Sequence, residues 1–324
     1  YNIEIEVYAA GFAQKYLKKY CETSKKFNLK KISEIINCDF LVIGTSENKN
    51  TPAKNLFFEA KKKEVLTGLI IDAPTFVQQR LLFSEFGKIN DLIDFFFIID
   101  DDTEKILINN RIEKKKIIKV SNPKFSYVKS YEKKIYKKKN KKQIAFLSEL
   151  SDGMKKEEFL KNSNYTFKGY SGSEKRTEII LEEFLTEINK YKNVADIHLR
   201  LHPKEKKSAY KKYFSKINRF SISENSTKFI RRMDLVVGMT TNLISEARVL
   251  GKQCLSIIPR NKEASWINSD IRPFINFAKN KKEIQLFFKK FFNPKYNDKL
   301  PKIDLKKNEF SLMLKKIVNE KNII

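Results

Sequence analysis

Short apolar segments alternate with segments of helical period through almost the whole chain, and this alternation limits the possible folds more than any other feature of the sequence. The predicted strands are Ile3–Tyr8, Phe40–Ile43, Leu66–Ile71, Phe95–Ile99, Ile117–Val120, Ile144–Leu147, Ile197–Leu201, Phe220–Ile222, Leu235–Val237 and Cys254–Ile258. The clearest predicted helices are Phe12–Cys21, Ala53–Lys63, Glu174–Tyr191, Asn242–Leu250 and Lys282–Phe292. Strands that alternate with helices are typical of parallel sheets covered by helices, so the sequence predicts an α/β fold.

A break near the middle of the chain favours two sheets over one large sheet. The segment Tyr127–Lys142 is rich in Lys and Tyr, has no strand period and follows the turn signal Asn122-Pro123. We therefore predict an N-terminal Rossmann-like domain over residues 1–135 and a C-terminal Rossmann-like, nucleotide-binding domain over residues 136–300. Residues 301–324 are predicted to form a helix that packs back on the N-terminal domain.

The chain is strongly basic, with 66 Lys and Arg residues against 39 Asp and Glu residues and a formal net charge of +27. Such a charge attracts polyanions, among them anionic lipids and phosphorylated substrates. An AT-rich coding sequence, rich in Lys, Asn and Ile codons, is an equally open explanation. No RNA-binding signature with interleaved aromatic residues stands out, so we expect no nucleic-acid partner.

Part of the positive charge is clustered. The clustered residues are Lys137, Lys138, Lys139, Lys141 and Lys142, together with Lys289 and Lys290 beside Phe291 and Phe292. These clusters predict electrostatic association with an anionic membrane surface, although a solvated linker in a Lys-rich protein is an equally open interpretation. The longest apolar stretch, Leu92–Ile99, is interrupted by Asp94 and is far shorter than the ~20 residues that a spanning helix needs. We therefore predict a cytoplasmic protein, peripheral at most on the inner face of the membrane.

Cysteine and histidine are both scarce. Cys21, Cys38 and Cys254 are widely spaced and odd in number, which fits a reducing compartment and neither a disulfide framework nor a zinc site. The histidines are His198 and His202. We therefore expect no metal and no cofactor, with any nucleotide acting as substrate.

The strongest local motif reads DLVVGMTTNLISEARVLGKQCLS from Asp234 to Ser256. A buried strand is followed by a turn and by small polar residues that open a helix, an arrangement whose free N–H groups and hydroxyls form an anion site. The residues predicted to bind the nucleotide phosphates there are Gly238, Thr240, Thr241 and Asn242. Glu246 follows one helical turn later, within reach of a ribose hydroxyl. A structural role is equally open, with Thr240 or Thr241 capping the helix and Glu246 solvated.

A His-Pro pair follows the strand Ile197–Leu201 directly. In open α/β sheets ligands bind beyond the carboxyl ends of the strands. We therefore predict that His202 binds phosphate and acts catalytically by polarising a leaving group, with Pro203 stiffening the loop. A turn histidine that caps the next helix is an equally open interpretation. His198, inside the strand, is predicted to be a packed residue.

Polar residues also follow the strands of the first domain. The candidates for the cleft at this edge are Gly44, Thr45 and Ser46 after the second predicted strand, and Asp72 after the third. A carboxylate at the position of Asp72 can serve as a general base, because a cleft can raise its pKa toward the working pH. Capping of the helix after Pro74 is the alternative role for Asp72.

Two further motifs admit two interpretations each. Asp100–Asp102 look like a magnesium site but are better explained as the cap of the helix that starts at Thr103. The GYSG sequence contributes Gly169 and Ser171 as candidates for a hinged loop beside the phosphates, and an ordinary surface turn is the alternative.

Several of these segments together resemble bacterial surface-polysaccharide proteins with the GT-B fold. In the first domain the likeness lies in CDFLVIGTS, AKNLFFEAKKKEVLTGLIIDAP and QQR within Cys38–Arg80, and it continues over Asp94–Pro123. In the second domain it lies in Gly169–Arg176, in LRLHPKE and in the Asp234–Ser256 motif. The resemblance implies two Rossmann-like domains whose parallel sheets face a central cleft.

Two branches of that fold share motifs with the chain. Bacterial sialyltransferases carry a His-Pro motif and a later Ser/Thr pair, which bind CMP. His202-Pro203 resembles the first motif and Thr240-Thr241 resembles the second. The acidic-acidic-Gly motif of the sialyltransferases is not found in this sequence. UDP-sugar 2-epimerases share the run from glycine and small polar residues to Glu-Ala and Leu-Gly-Lys, which implies that Glu246 holds the ribose. Their His-Arg-Arg-Glu-Asn signature is replaced here by FLSELSDG, which argues against epimerisation.

From the motifs and the resemblance we predict a glycosyltransferase. It would transfer a sugar from a CMP- or UDP-linked donor to a cell-surface glycan or lipid-linked acceptor, with inversion and without a metal. Asp72 would deprotonate the acceptor, and the second domain would stabilise the departing phosphate. The alternative is a nucleotide-sugar epimerase or hydrolase of the UDP-GlcNAc 2-epimerase type. A non-catalytic binding protein is the third interpretation.

Overall fold

In a computed structural model the chain forms two larger parallel sheets, one on each side of the boundary predicted near residue 135. The structure describes residues 4–9, 14, 24–45, 53–81, 89–130, 139–150, 154–170, 172–222, 224–295, 300–303 and 317. The strands are β1 (Val7–Ala9), β2 (Ser24–Lys26), β3 (Phe40–Gly44), β4 (Leu66–Ile71), β5 (Phe95–Ile98), β6 (Ile117–Lys119), β7 (Lys142–Leu147), β8 (Ala195–Arg200), β9 (Arg219–Ser221), β10 (Leu235–Gly238), β11 (Gln253–Ile257) and β12 (Asn276–Ala278). The α-helices are α1 (Ile32–Ile35), α2 (Ala53–Lys62), α3 (Val77–Arg80), α4 (Ile89–Leu92), α5 (Asp101–Asn109), α6 (Pro123–Ser130), α7 (Lys156–Phe159), α8 (Arg176–Ile188), α9 (Ser226–Arg231), α10 (Asn242–Val249) and α11 (Lys281–Phe291).

The sheet of the first domain has the order β3-β4-β5-β6, with every pair parallel. Strands of this kind are covered on both faces, so their sequences are apolar at nearly every position. Phe96 and Phe97 on β5 point to opposite faces and are both fully buried, and Phe57 on α2 packs into the same core as Phe96. A separate pair, β1 and β2, is also parallel.

The sheet of the second domain has the order β12-β11-β10-β7-β8-β9, again with every pair parallel. The central strands β7 and β10 are buried along almost their whole length, with one core on each face of the sheet. From β7 the chain continues outward to β8 and β9, and then returns to β10 on the other side of β7. The strand order therefore reverses between β7 and β10, and such a switch point leaves a crevice at the carboxyl ends of the two strands.

The structure confirms the α/β fold class and the parallel sheets. All strands predicted from Phe40–Ile43 onward are present, while β2 and β12 were not predicted. The predicted helix over Phe12–Cys21 lies outside the described residues except for Gln14. Of the predicted C-terminal helix the structure describes few residues, but one of them, Ile317, packs in one buried cluster with Phe97 and Val120 of the first domain.

Candidate functional site

A cleft of about 370 Å³ lies at the carboxyl ends of the strands and is lined by both domains. The first domain contributes Thr75 and Phe76. The second contributes Ser148, Glu149, Leu150, Met154, His202, Lys204, Thr240, Thr241, Asn242 and Trp266. These residues follow β7, β8 and β10 or lie near them, so the cleft coincides with the switch point of the second sheet. The candidates after β8 and β10 are thus brought together as predicted from their positions.

The start of helix α10 is formed by the two threonines of the strongest motif. The Thr241 hydroxyl accepts a hydrogen bond from the N–H of Leu243 at 3.3 Å, which makes Thr241 the N-cap of α10. Thr240 is buried, and Asn242 is exposed at the mouth of the helix. Gly238 is the last residue of β10, and a Cβ there would lie 3.4 Å from the Leu147 Cβ, which is an ordinary van der Waals contact.

The anion site predicted at this helix start holds a carboxylate of the chain itself. One oxygen of Glu149, Oε1, accepts the N–H groups of Met239, Thr240 and Thr241 at 3.1, 2.5 and 2.7 Å. The other oxygen, Oε2, accepts the Thr240 hydroxyl at 3.0 Å and Nη1 of Arg176 at 2.9 Å. We call this set of five donors the Glu149 cradle. It binds negative charge at a helix N-terminus, as the sequence predicted, but with Glu149 as the anion.

Behind the cradle lies a chain of buried charges of alternating sign. Arg176 donates to Glu263 through Nε at 2.8 Å, and Glu263 in turn accepts from Nε of Arg260 at 2.6 Å. The Arg176 side chain is 3% exposed and that of Glu263 is fully buried. Burial lowers the pKa of Arg176, but Glu149 and Glu263 raise it by more, so the guanidinium stays charged. Both guanidinium groups also lie within 6 Å of the Trp266 ring centre, at 5.6 and 5.8 Å.

His202 belongs to a tight turn at the end of β8. Its N–H donates to the Glu205 carboxylate at 2.7 Å and to the Ser148 hydroxyl at 3.0 Å. Its ring nitrogen Nδ1 accepts from the N–H of Lys204 at 3.3 Å, and the ring lines the cleft. Pro203 lies in the same turn and is exposed. His202 therefore belongs to the turn and lines the cleft, and its roles in phosphate binding and catalysis stay predictions.

His198 is a packed residue of β8, as predicted. It is 5% exposed, and its Nε2 lies 2.9 Å from Oε1 of Gln143. Burial, assisted by the positive charges of Lys139 and Arg219, lowers the pKa of His198 to about 4. The imidazole is therefore neutral at physiological pH and takes no part in the cleft.

The first-domain candidates form a separate group. Nη1 of Arg80 donates to the Thr45 hydroxyl at 3.0 Å and lies 3.5 Å from Oδ1 of Asp72. The Asp72 side chain is 73% exposed, and Asp72 and Thr45 are absent from the lining of the cleft. Gly44 ends β3, and Ser46 lies outside the described residues. The role of Asp72 as a base stays a prediction.

Phe76 is one of the two described first-domain residues that line the cleft. Its φ of 56° lies in the left-handed region, which is costly for a side chain with a Cβ and marks positions that the surrounding structure enforces. The centre of its ring lies 5.8 Å from the centre of the Trp266 ring, so one aromatic residue from each domain meets at the cleft. Sequence reasoning missed this contact.

Glu246 is buried in α10 at 8% exposure, and its Oε2 atom finds no hydrogen-bond partner among the described residues. Burial raises the pKa of the Glu246 carboxyl, and the positive charge of Lys124 on α6 partly opposes this shift. The interpretation of Glu246 as simply solvated is wrong, because the side chain is buried. Its role in holding a ribose stays a prediction.

The Asp100–Asp102 turn joins the domains and is not arranged to bind magnesium. Oδ1 of Asp100 accepts from the N–H of Thr103 at 2.8 Å, which confirms the predicted cap. Asp102 pairs with Arg272 of the second domain at 2.6 Å, and Asp101 pairs with Lys119. Within the described ranges no group of His, Cys, Asp and Glu is placed to hold a metal ion.

The glycine loop faces a helix and not the cleft. The N–H of Gly169 donates to Glu183 at 3.3 Å and that of Tyr170 to Glu182 at 2.8 Å, both on α8. Gly169 has a φ of 70°, which suits a glycine in a turn. Ser171 lies outside the described residues.

The basic cluster lies at the opposite, amino-terminal edge of the second sheet. Lys139, Lys141 and Lys142 are exposed where β7 begins, and Lys142 lies 5.8 Å from the ring centre of Phe291 on α11. Lys137 and Lys138 lie outside the described residues. In the part of the chain that the structure describes, no helix is long and apolar enough to cross a membrane.

Sequence reasoning missed Glu149 and Arg176, the residues with the most contacts in the site. Glu149 follows β7 by two residues, and its position beside the end of β10 depends on which strands are neighbours. Its place at the carboxyl end of a predicted strand, Ile144–Leu147, was the signal that could have made it a candidate. Arg176 opens α8 far away in sequence, and no local pattern marks it as a partner of Glu149.

Comparison with known proteins finds the same architecture. No protein-family model matches the sequence, and no curated protein is a significant match. Among solved structures, the UDP-GlcNAc 2-epimerase of Methanocaldococcus jannaschii is similar at 13% identity and a TM-score of 0.57, over 91% of this chain and 86% of that one. The Neisseria meningitidis UDP-GlcNAc 2-epimerase bound to UDP-GlcNAc is similar at 13% identity and a TM-score of 0.54, over 91% of this chain and 82% of that one. Staphylococcus aureus MnaA with UDP is similar at 14% identity and a TM-score of 0.56, over 91% of this chain and 79% of that one. At such identities the likeness establishes the GT-B-like fold.

These neighbours contradict the predicted glycosyltransferase. Two of the similar structures, those from M. jannaschii and N. meningitidis, are UDP-GlcNAc 2-epimerases, which favours the alternative of a nucleotide-sugar epimerase or hydrolase over the transferase. The motifs misled for a physical reason. A helix N-terminus and a histidine beyond a strand bind the phosphate of a nucleotide whatever happens afterwards to the sugar, so they do not distinguish transfer from epimerisation. The neighbours do not support the sialyltransferase-like interpretation of His202-Pro203 and Thr240-Thr241, and they do not support the glycan acceptor.

Proposed function

We propose that the chain is a nucleotide-sugar enzyme of the UDP-GlcNAc 2-epimerase or hydrolase type, with the UDP-sugar bound in the cleft. The observation that carries this proposal is the convergence of His202, Lys204 and the start of α10 at the switch point of the second sheet. Phe76 covers this group from the other domain. A cleft of this kind between two domains suits a ligand with an anionic centre and a ring at each end.

Glu246 supports a nucleoside as part of the ligand. A buried acceptor without a hydrogen-bond partner costs about 1–3 kcal/mol, and a hydroxyl donor would remove this cost. Oε2 of Glu246 is such an acceptor, one helical turn beyond the predicted phosphate site. A ribose hydroxyl next to the phosphates supplies the missing donor.

The chemistry begins at the bond between the anomeric carbon and the phosphate oxygen. When this bond breaks, its electron pair stays on the nucleotide, and donors at the start of α10 and at His202 stabilise the added charge. In hydrolysis a water oxygen bonds to the anomeric carbon and its proton passes to a base. In epimerisation a base removes the C2 proton, and the electron pair of that bond forms a C1–C2 double bond as the nucleotide leaves. The nucleotide oxygen then bonds to C1 again while a proton returns to C2 on the opposite face. Asp72 stays the predicted base for either reaction.

Incubation of the protein with UDP-GlcNAc tests the proposal. Chromatography measures released UDP, and proton NMR measures the C2 epimer; we expect one of these products at a rate above the uncatalysed background. His202→Ala should weaken binding of UDP about tenfold by calorimetry, because a hydrogen bond to a charged group contributes about 1.5–3 kcal/mol. Asp72→Asn should leave UDP affinity unchanged and lower turnover. Absence of both products, with no UDP bound at millimolar concentration, would overturn the proposal.

We also propose that the basic edge of the second sheet associates with anionic membranes. Lys139, Lys141 and Lys142 are exposed there, near Lys289 and Lys290 of α11, and the cleft lies at the other edge. Liposomes of phosphatidylserine and phosphatidylcholine should bind the protein at low salt and release it at high salt, and sedimentation measures the bound fraction. Changing the three strand-edge lysines to Gln should weaken binding, and equal binding to neutral liposomes would contradict the idea.

A further inference from the structure

The anion site at the start of α10 is complete before any ligand arrives. Three backbone N–H groups, one hydroxyl and one guanidinium converge on a single point, and that point is held by the Glu149 carboxylate. A carboxylate has about four lone-pair positions, so five donors leave none for another partner. Glu149 held in this way acts as a ligand of the helix and not as a base.

A phosphate group requires the same donors. Its oxygens would have to accept from the N–H groups of Thr240 and Thr241 and pair with Arg176, and each of these already binds Glu149. A second anion beside Glu149 at this distance would also face a like charge in a site shielded from water. Phosphate and the Glu149 carboxylate are therefore alternative occupants of the cradle.

We propose that Glu149 is a built-in competitor for the phosphate site, which a phosphate-bearing ligand must displace before it binds in the cradle. This inference rests on the proposed function, since it concerns the phosphates of the same nucleotide. Displacement of the carboxylate lowers the affinity for every phosphate ligand alike. Only a ligand with further contacts, such as those of a nucleoside, then binds well.

The surroundings of Glu149 allow the side chain to leave without loss of the cradle. Its main chain is held independently, because the Thr177 hydroxyl donates to the Glu149 carbonyl at 2.6 Å. Arg176 is fixed from behind by Glu263, so its Nη1 atom keeps its direction when the carboxylate departs. The N–H groups of Thr240 and Thr241 belong to the turn before α10, and Thr241 caps that helix. What remains is a rigid site for an anion.

Removal of the Glu149 carboxylate tests the inference. Glu149→Ala and the isosteric Glu149→Gln are compared with the unchanged protein and with Glu178→Gln, which makes the same change in net charge at a partly exposed pair with Lys212. Inorganic phosphate, pyrophosphate and UDP are titrated by calorimetry and by thermal shift. We expect Glu149→Ala to bind phosphate and pyrophosphate at least tenfold more tightly than the unchanged protein, with Glu149→Gln between them. Glu178→Gln should behave as the unchanged protein. Acetate should also stabilise Glu149→Ala, since it replaces the missing carboxylate.

The outcomes separate this inference from the proposed function. Tighter phosphate binding by Glu149→Ala without any affinity for UDP would support the competitor role and count against the nucleotide. Equal UDP affinity in the unchanged protein and both Glu149 variants would overturn the competitor role and leave the nucleotide in place. If Glu149→Ala does not fold, Glu149→Gln carries the test, and weaker phosphate binding by that variant would show that Glu149 builds the site and does not block it.

Discussion

At the cleft edge of the second domain, Arg176 is almost fully buried between two carboxylates, whereas at the corresponding edge of the first domain Asp72 is exposed beside a single guanidinium. The first arrangement fixes its groups in one geometry through several hydrogen bonds of 2.5–3.1 Å. The second leaves the Asp72 carboxylate exposed to solvent, with one long contact of 3.5 Å to Arg80. Fixed donors suit the binding of an anion, because they need no reorganisation when it arrives. A solvated carboxylate suits proton transfer, which requires access.

Arg176→Met should give the largest difference between the two edges. It leaves Glu149 buried without its cation and Glu263 with Arg260 alone, and breaking a buried pair in this way costs about 3–5 kcal/mol. Arg80→Met, the matched change in the first domain, should cost about 1 kcal/mol, because its carboxylate partner is exposed. Urea denaturation of both variants measures the free energy of unfolding. Similar losses would mean that the two edges are equally fixed.

Acid should weaken the second domain in particular, because His198 is buried in its sheet. The pKa of His198 is about 4 in the folded protein, below its ordinary value of 6.5, so the unfolded chain takes up a proton first as the pH falls. This contribution to stability is complete above pH 6.5 and is lost as the pH falls toward 4, by about 3 kcal/mol at most.

His198→Leu isolates that contribution from the carboxylates that titrate in the same range. The variant should show a smaller loss of unfolding free energy between pH 6.5 and 4.5 than the unchanged protein. Hydrogen exchange should locate the difference in β7 and β8. A pH dependence identical to that of the unchanged protein would contradict the low pKa of His198.

Thr241→Ala should cost about 1 kcal/mol of stability through loss of the N-cap of α10. Thr45→Ala, at the first-domain edge, removes an acceptor for Arg80 and should cost less, about 0.5 kcal/mol, because Arg80 keeps its bond to the Thr75 carbonyl. Thermal denaturation followed by circular dichroism compares them. A larger loss in Thr45→Ala would show that the first-domain edge is more tightly held than its exposure indicates.

Chelation should produce the smallest effect. The acidic turn at the domain junction already engages Thr103, Lys119 and Arg272, so its carboxylates have partners without a metal. Turnover of UDP-GlcNAc is expected to be unchanged in EDTA. Loss of turnover that magnesium restores would move the reaction toward that turn and away from the second-domain edge.

The sequence alone was enough to predict the α/β class, most of the strands and the edge of the second sheet at which the cleft lies. Alternating apolar segments and helix-period segments have one common solution, and the carboxyl ends of parallel strands share one edge. This reasoning placed His202, Thr240 and Thr241 correctly around one cleft, because each follows a strand directly. The choice between transferase and epimerase lay beyond it, since both chemistries use the same anion-binding geometry.

The group that occupies the predicted anion site depends on the tertiary structure. Glu149 and Thr240 are 91 residues apart, and Arg176 and Glu263 are 87 apart. These contacts exist because β10 pairs with β7 and not with the preceding strand β9, an order that no local pattern encodes. Burial then fixes the outcome: in a site with little water, four charged groups persist only when each finds partners of the opposite sign. The sequence names the donors at the helix start, and the strand order determines that Glu149 is the group they hold.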